Sequence, residues 1–226
     1  GYDIEIPVPP GTNGIEPKLV LQYSSSGKDS WIGYGWDLSL GKIERSTRKG
    51  LPKFNGQDMF EMSLNGTFHE LVFFSGSEWR TKQETFLRAV KTGNDWVVTD
   101  TKGTQYEFRA SVSRNGVPFS WGLTAVQDTH GNRMEIVYDQ SENILNITQV
   151  RYTLNSGISG ERTIIFVTQS RSDQVERYHY GIRQKFTRLL SEIQVKISGS
   201  VIQSYRLSYV ASPVGKSHLS KVEQIA

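Results

Sequence analysis

The sequence contains no cysteine, and this absence excludes disulfide bonds, thiolate zinc sites and cysteine nucleophiles together. Long hydrophobic runs are also missing, because no stretch approaches the roughly 18 apolar residues that a membrane-spanning helix requires. No basic, apolar and small-residue series of the secretory type opens the chain. We therefore predict no membrane-spanning segment. Since the chain starts abruptly at Gly1 and stops at Ala226 inside a strand-like segment, we expect a fragment of a longer polypeptide.

An excess of charge of one sign is lacking as well. The 226 residues include 26 Lys and Arg against 23 Asp and Glu, a net charge of +3, and the basic residues are scattered along the chain. A nucleic-acid interface needs a basic stripe or patch, so nucleic acid is not an expected partner. The length suits one all-β domain, and the many aromatic residues can fill its core. We expect residues 1–226 to form a single domain.

Motifs for cofactor binding and catalysis fail when their spacing is checked. The segment Gly33 to Leu38 begins like a dinucleotide fingerprint but ends in leucine where a glycine is needed. The Gly-Lys-Ser at 215–217 resembles a phosphate loop, yet Val210 occupies the position of its first glycine. None of the four histidines pairs with a second ligand at metal spacing, and no Gly-x-Ser-x-Gly elbow is present. We predict no cofactor and no metal site.

One carboxylate pair gives a weak indication of catalysis. Glu61 and Glu70 could face each other across a hairpin and act as the acid and base of a glycosidase. A solvated strand face explains the same two residues without any chemistry. We therefore predict that the chain is not an enzyme.

Turn signals dominate the organisation of the chain. Asn-Gly, a dipeptide that tolerates the positive φ angles of tight hairpin turns, occurs at Asn13-Gly14, Asn55-Gly56, Asn65-Gly66 and Asn115-Gly116. Further turn signals separate apolar segments around 101–103, 128–132, 155–160 and 198–200. Only Arg183 to Ile193 could form a helical turn or two, and we predict it to be mostly strand. The pattern predicts an all-β fold, an antiparallel meander of successive hairpins forming a large curved sheet, as a shell, open barrel or sandwich.

The stretch "WIGYGWDLSLG", from Trp31 to Gly41, combines aromatic residues with two glycines. Gly33 and Gly35 permit a sharp bend and a close backbone approach, while Trp31 and Trp36 offer large apolar faces for burial. Two interpretations are open: a structural corner that leads into an alternating strand near Trp36, or an aromatic platform for a sugar. We favour the corner. The preceding "PVPPG" is typical of an extended edge segment.

A second motif lies in "LTAVQDTHGNRMEIVYDQSENIL", residues 123–145. The carboxylate of Asp128 can accept a hydrogen bond from the backbone two residues on, Gly131 can take a positive φ, and Asn132 follows. The next strand ends in Tyr138 and Asp139. This unit resembles the YD repeat of the Rhs family, in which an Asp-x-x-Gly-Asn turn precedes a Tyr-Asp pair. Only one clean copy is present, and residues 140–143 replace the glycine-bearing spacer of that family.

The rest of the chain extends the resemblance in the same order. The opening "YDIEIPVPPGTNGIEPKLVLQYSSSG", the corner, "DWVVTDTKGTQYEF" and the closing "RLLSEIQVKISGSVIQSYRLSYV" are similar to the N-terminal region shared by SpvB-type virulence proteins and the B component of insecticidal Tc toxin complexes. The resemblance implies a non-catalytic structural segment of a secreted bacterial toxin. In Tc-type complexes such proteins help build a β-sheet cocoon around a toxic portion, and in SpvB-type proteins a similar region precedes a separate ADP-ribosyltransferase domain.

The same resemblance implies partners. They are a downstream Rhs/YD-repeat shell, a toxin effector in the same or a partner chain, and a pore-forming toxin component. In a shell segment, "LSKVEQI" near the C-terminus should form an open sheet edge, with Leu219, Val222 and Ile225 left uncovered. The abundant Trp and Tyr support one alternative, a carbohydrate- or cell-surface-binding β module.

Overall fold

The structure is a computed structural model that describes residues 1–155, 160–179 and 181–225. Strands hold 64% of the residues and helix only 3%, so the predicted all-β fold class is confirmed. The helical residues form two 3-10 turns, Thr12–Gly14 and Ser141–Asn143. Within the described ranges, no helix has the length and apolar character needed to cross a membrane.

The N-terminal part consists of short strands in two small antiparallel sheets. They are β1 (Tyr2–Ile6), β2 (Leu19–Tyr23), β3 (Asp29–Ser30), β4 (Gly33–Tyr34) and β5 (Trp36–Asp37). One sheet has the order β1-β2-β5 and the other pairs β3 with β4. The proline-rich segment follows the edge strand β1, and its Pro7 and Pro9 carbonyls accept hydrogen bonds from Tyr205 and Tyr152 at 2.8 and 2.9 Å. These bonds attach the N-terminal segment to the larger sheet.

Eight strands close into a barrel. They are β6 (Gly41–Arg45), β7 (Phe60–Leu64), β8 (Thr67–Ser75), β9 (Glu78–Thr81), β10 (Arg88–Thr92), β11 (Asp95–Thr99), β12 (Gln105–Arg114) and β13 (Val117–Gln127). Each strand pairs antiparallel with the next, and β13 also pairs with β6 to complete the ring. Closure leaves the barrel without free edges.

The remaining strands extend the same sheet beyond the barrel. They are β14 (Arg133–Asp139), β15 (Asn146–Leu154), β16 (Arg162–His179), β17 (Ile182–Ile197), β18 (Ser200–Ala211) and β19 (Ser217–Ile225). Strand β13 pairs with β6 through residues 120–122 and with β14 through residues 125–127. The barrel wall therefore continues into an open antiparallel sheet. Its last strand, β19, pairs with β18 alone among the described strands.

Aromatic side chains fill the barrel interior. Trp96 and Trp121 are fully buried, and the Phe60 ring meets the Trp96 ring edge-on with centroids 4.9 Å apart. Strand β7 alternates buried and half-buried residues, the period-two pattern of a strand with one face in a core. One continuous apolar core joins the barrel, the N-terminal sheet and the extension, reaching Leu21 and Val195. The predicted aromatic core is thus present.

Two of the four Asn-Gly turns form the predicted tight hairpins. Asn65 and Gly66 have φ angles of 51° and 76° between β7 and β8, and Asn115 and Gly116 have φ angles of 50° and 79° between β12 and β13. The turns at 101–103, 128–132 and 198–200 also connect paired strands. Residues 183–193 lie within β17, so the strand prediction is confirmed there. The turn at 155–160 includes residues 156–159, which are outside the described residues.

The other two Asn-Gly predictions are wrong. Asn13-Gly14 lies in a 3-10 turn within the long connection between β1 and β2. Asn55-Gly56 lies in the loop between β6 and β7, where the Asn55 side chain accepts a hydrogen bond from the Gln57 N–H at 3.0 Å. The dipeptide favours a local backbone conformation, but a hairpin also needs flanking segments that pair with each other.

Candidate functional site

The corner of residues 29–37 folds around two glycines that tolerate no side chain. Gly33 and Gly35 have φ angles of 99° and 81°, a region that favours glycine. A Cβ on Gly35 would lie 2.6 Å from the Tyr23 ring, and one on Gly33 would lie 2.8 Å from the Ser217 carbonyl oxygen. The corner therefore depends on close backbone approach at both positions, as the corner interpretation requires.

The prediction of an alternating strand after Trp36 is wrong. Strand β5 contains only Trp36 and Asp37, and the next strand begins at Gly41. Burial still alternates across this stretch, with Leu38 buried between the exposed Asp37 and Ser39. The backbone leaves the N-terminal sheet here to reach the barrel, so the side chains alternate without a partner strand.

The corner aromatics pack inward. Trp31 is 4% exposed, its ring lies 5.9 Å from that of Phe166, and its carbonyl accepts the Leu190 N–H at 2.8 Å. The Trp36 ring packs on Tyr23, with centroids 5.4 Å apart. A sugar platform needs an accessible aromatic face, which Trp31 does not offer. These contacts favour a structural corner.

A buried ion cluster, which we did not predict from the sequence, fixes the corner to the extension. It comprises Asp29, Arg171, Asp173 and Lys216. The Arg171 side chain is completely buried and pairs with Asp173 at 2.9 Å and Asp29 at 3.4 Å. Its guanidinium also donates to the Ser30 carbonyl at 2.9 Å, and Lys216 pairs with Asp29 at 2.8 Å. Two positive and two negative charges thus join the corner, β16 and the segment before β19.

A four-residue bulge in β16 makes room for the buried ion cluster. Pairing between β16 and β17 jumps from Ser170 opposite Arg188 to Val175 opposite Phe186, so residues 171–174 leave the ladder. The Asp173 carboxylate accepts hydrogen bonds from both the N–H and the hydroxyl of Ser217. Burial opposes ionisation, but hydrogen bonds from Arg171 and Ser217 hold the pKa of Asp173 far below its usual range. The visible signal in the sequence is "SRSDQ", a charged interruption of a strand.

The turn at Asp128 connects three distant segments. The Asp128 carboxylate accepts the N–H groups of His130 and Asn132, both at 2.9 Å, and the Asn132 side-chain amide at 2.7 Å. It also accepts the Asn13 amide at 2.8 Å, while Asn155 donates to the Asn132 side chain at 3.0 Å. Gly131 takes the expected positive φ, at 83°. Although burial opposes it, hydrogen bonds from the two asparagines and the backbone lower the pKa of Asp128 to about 2.

Tyr138 and Asp139 perform separate local tasks. The Tyr138 hydroxyl donates to the Leu123 carbonyl at 2.9 Å, and its ring covers Gly122, where a Cβ would lie 2.8 Å from the ring. Burial raises the pKa of Tyr138. Asp139 accepts the N–H and the hydroxyl of Ser141, both at 2.9 Å. The pair therefore fixes β14 on β13 and starts the turn that follows.

That turn departs from the glycine-bearing spacer of the YD repeat. Glu142 and Asn143 have φ angles of 56° and 57°, where glycine is the favoured residue. The Asn143 amide donates to the Arg183 carbonyl at 2.9 Å, and its own carbonyl accepts from Gln184 at 2.8 Å. These bonds to β17 compensate for the unfavourable backbone conformation.

The carboxylate pair considered for glycoside cleavage is engaged in ion pairs. Glu61 and Glu70 are opposite each other on β7 and β8, as predicted. Arg48 bridges both carboxylates, and Lys82 pairs with Glu70 at 2.7 Å. The described residues hold no group of three or more histidine or acidic side chains suited to a metal ion.

Comparison with known proteins confirms the resemblance to SpvB-type and Tc-type proteins. Residues 1–112 match the family model described as Salmonella virulence plasmid 65kDa B protein. The mono(ADP-ribosyl)transferase SpvB of Salmonella choleraesuis (strain SC-B67) is 40% identical over 58 residues, which is 25% of this chain and 10% of that protein. The corresponding protein of Salmonella typhimurium (strain 14028s / SGSC 2262) is 38% identical over the same length. The matched segment is thus a small part of those relatives.

Solved structures show the same fold over nearly the whole chain. The N-terminal domain of effector protein SpvB from Salmonella typhimurium strain LT2 superposes with a TM-score of 0.78 at 17% identity, covering 99% of this chain and 98% of that one. TcdB2-TccC3 gives a TM-score of 0.76 at 18% identity over 98% of this chain and 15% of that one. The Photorhabdus luminescens Tc holotoxin pore gives 0.75 at 18% identity, covering 98% and 14%.

Proposed function

We propose that this chain is a non-catalytic structural segment of a secreted bacterial toxin, and that it helps build a β-sheet shell that encloses or delivers a toxic effector. The observation that carries the proposal is the sheet topology. A closed barrel continues through β13 into an open sheet, an arrangement suited to the wall of a larger enclosure. The similarity in fold to the SpvB N-terminal domain and to TcdB2-TccC3 supports the same role.

The proposed partners follow from this role. They are a downstream Rhs/YD-repeat shell, an effector in the same or a partner chain, and a pore-forming toxin component. The single YD-like unit supports the first of these, because its Asp128 turn and Tyr138 contacts stabilise a strand connection within a continuous sheet. The solved Tc holotoxin pore supports the last.

The strand neighbours of β19 in a longer toxin protein provide the test. The proposal predicts that β19 acquires a second strand there, because its outer N–H and C=O groups have no strand partner in the described chain and an open edge accepts strand addition. A structure of such a protein with β19 paired on both sides would support the shell role. A structure in which β19 faces solvent would contradict it.

One specific observation favours a second function, that of a carbohydrate- or cell-surface-binding module. Strand β8 exposes three phenylalanines, Phe68 at 51%, Phe73 at 60% and Phe74 at 63%. Arg48 lies over the Phe68 ring at 4.9 Å and Arg80 over the Phe74 ring at 5.4 Å. Saturable binding to a glycan panel, lost in Phe68→Ser and Phe74→Ser variants, would favour this second function over the shell role.

A further inference from the structure

A cavity lies where the barrel and the extension separate. Strands β6 and β14 both leave β13, one at residues 120–122 and the other at 125–127, and a wedge opens between them. The wedge holds a cavity of about 160 Å³, which we call the junction cavity. Its charged lining residues come from three strands: Asp37 from β5, Lys42 and Glu44 from β6, and Arg177 from β16. No part of the proposed shell role uses this cavity.

Two opposite charges in the junction cavity lack a close ionic partner. Lys42 and Glu44 pair with each other at 2.8 Å. The Arg177 guanidinium donates to the Gln184 side chain at 2.9 Å and to the Asp29 carbonyl at 3.3 Å, but within the described ranges it forms no salt bridge with a carboxylate. Asp37 likewise forms no salt bridge with any described cation, and Lys42 and Arg177 act on it only at longer range.

The surroundings of these two charges make them receptive to a ligand. Asp37 is exposed to solvent and lines the cavity, so a ligand can reach its carboxylate. Arg177 is half-buried, and its guanidinium lies over the Phe186 ring at 4.7 Å. A carboxylate and a guanidinium that line one cavity without an ion-pair partner each gain from a ligand that supplies the opposite charge.

The size and walls of the cavity restrict the class of ligand. Its volume of about 160 Å³ is close to the ~150 Å³ of an engineered cavity that holds benzene, so the ligand has only a few heavy atoms. Among the apolar lining residues, the half-buried Leu145 offers a surface that a ligand side chain can contact, while Val112, Ile147 and Phe186 are buried. The aromatic rings of Trp31 and Phe119 also line the cavity, but they are only 4% and 2% exposed. They offer no open face for stacking a sugar.

We propose that the junction cavity binds a free α-amino acid with a short aliphatic side chain. The ligand carboxylate pairs with the Arg177 guanidinium, its ammonium group pairs with the Asp37 carboxylate, and its side chain contacts the apolar wall. A carboxylate suits the planar fork of an arginine. The zwitterion restores charge pairing for both residues at once, which an uncharged ligand or one with a single charge does not.

Titration of the 226-residue chain with L-valine, followed by calorimetry and by amide NMR shifts, tests this proposal. We expect saturable binding that shifts the amides around Asp37 and Arg177. Isobutyrate lacks the ammonium group and L-valinamide lacks the carboxylate, so each should bind at least about tenfold more weakly, as expected for the loss of a charged hydrogen-bonding pair. Asp37→Asn and Arg177→Met should weaken valine binding to a similar degree.

Arg183→Met is the matched control variant. Arg183 lies on β17 and pairs with the exposed Glu176, outside the cavity lining, so valine binding should be unchanged. Asp37→Asn preserves the shape of the side chain and separates loss of binding from loss of folding, with the melting temperature as the check. Absence of saturable valine binding would overturn the proposal, as would equal binding by the Asp37→Asn variant. Tighter binding of glucose than of valine would also overturn it.

Discussion

At the scale of single residues, Gly35 shows how the corner depends on the absence of a side chain. A larger residue here would be strained at a φ of 81°, and its Cβ would lie 2.6 Å from the Tyr23 ring. Gly35→Val should therefore lower the free energy of unfolding by about 1 to 3 kcal/mol. Urea or thermal unfolding measures the change.

Gly56→Val is the control for this variant. Gly56 has open space around its Cβ position and no unusual φ, so the same substitution there should leave stability nearly unchanged. If Gly35→Val melts at the temperature of the parent, the corner does not require its glycine.

Asp128 links the acidity of a single carboxyl group to the stability of a turn. Its pKa in the folded chain is about 2, below the ordinary 3.8, so its stabilising contribution is complete above pH 3.8 and disappears as the pH falls toward 2. Asp128→Ala leaves several donors without an acceptor and should cost about 1 to 3 kcal/mol near neutral pH. The difference in the free energy of unfolding between the variant and the parent should shrink between pH 4 and pH 2. Chemical denaturation at each pH measures it.

Asp3→Ala serves as the matched control, because Asp3 is exposed on β1 and its side chain accepts no hydrogen bond in the described structure. It should change stability little at any pH. A loss of stability in Asp128→Ala that is as large at pH 2 as at pH 7 would show that the ionised carboxylate is not responsible.

At the scale of elements, the bulge in β16 and its ions hold the corner against the extension. Arg171→Met removes a completely buried guanidinium and leaves Asp29 and Asp173 with less compensation. Breaking a buried ion pair typically costs about 3 to 5 kcal/mol, and we expect a loss of that order in the free energy of unfolding. Urea denaturation provides the measurement.

Arg183→Met gives the comparison on the neighbouring strand. Its ion pair with Glu176 is half exposed, at 51% and 44%, and such pairs contribute little to stability because solvent screens them. Equal losses in the Arg171 and Arg183 variants would mean that the buried ion cluster does not stabilise the corner.

The sequence predicts elements well where local chemistry decides the structure. Asn65-Gly66 and Asn115-Gly116 form hairpins because alternating segments on both sides of each turn can pair. Asn13-Gly14 has the same backbone preference, but the segment before it ends in prolines that cannot continue a ladder. Strand β16 has 18 residues, a length that the sequence does not predict, because its charged bulge resembles a loop. Arg171 and Asp29 are far apart in sequence, so their pairing leaves no local signal.

At the scale of the whole molecule, barrel closure is the feature that sequence reasoning did not resolve. The predicted meander matches the consecutive pairing of β6 to β13 and of β14 to β19. Closure depends on contact between β6 and β13, for example Ile43 opposite Trp121, and no periodic pattern reveals such a distant pair. That residues 1–226 form one domain stays a prediction, and so does the membership of the Asp128 unit in a longer series of YD repeats.

The far edge of the sheet is partly covered. The corner approaches the first residues of β19, since a Cβ on Gly33 would lie 2.8 Å from the Ser217 oxygen. Leu219 and Val222 pack against the main core, although we expected them to be uncovered. These side chains are partly buried on one face of the sheet. The outer edge of β19, in contrast, has no partner strand among the described residues. The expected open edge is therefore limited to the outer backbone N–H and C=O groups of residues 220–225, beyond the part of β19 that the corner approaches.

Hydrogen exchange at residues 220–225 tests the shell account most directly. In the strictly monomeric 226-residue chain, the N–H groups of β19 that point away from β18 should exchange much faster than those of β18, because an edge strand leaves them exposed to water. In a longer toxin protein that continues the sheet, the same groups should become protected. Slow exchange in the monomer that is unchanged in the longer protein would show a closed edge and contradict the account.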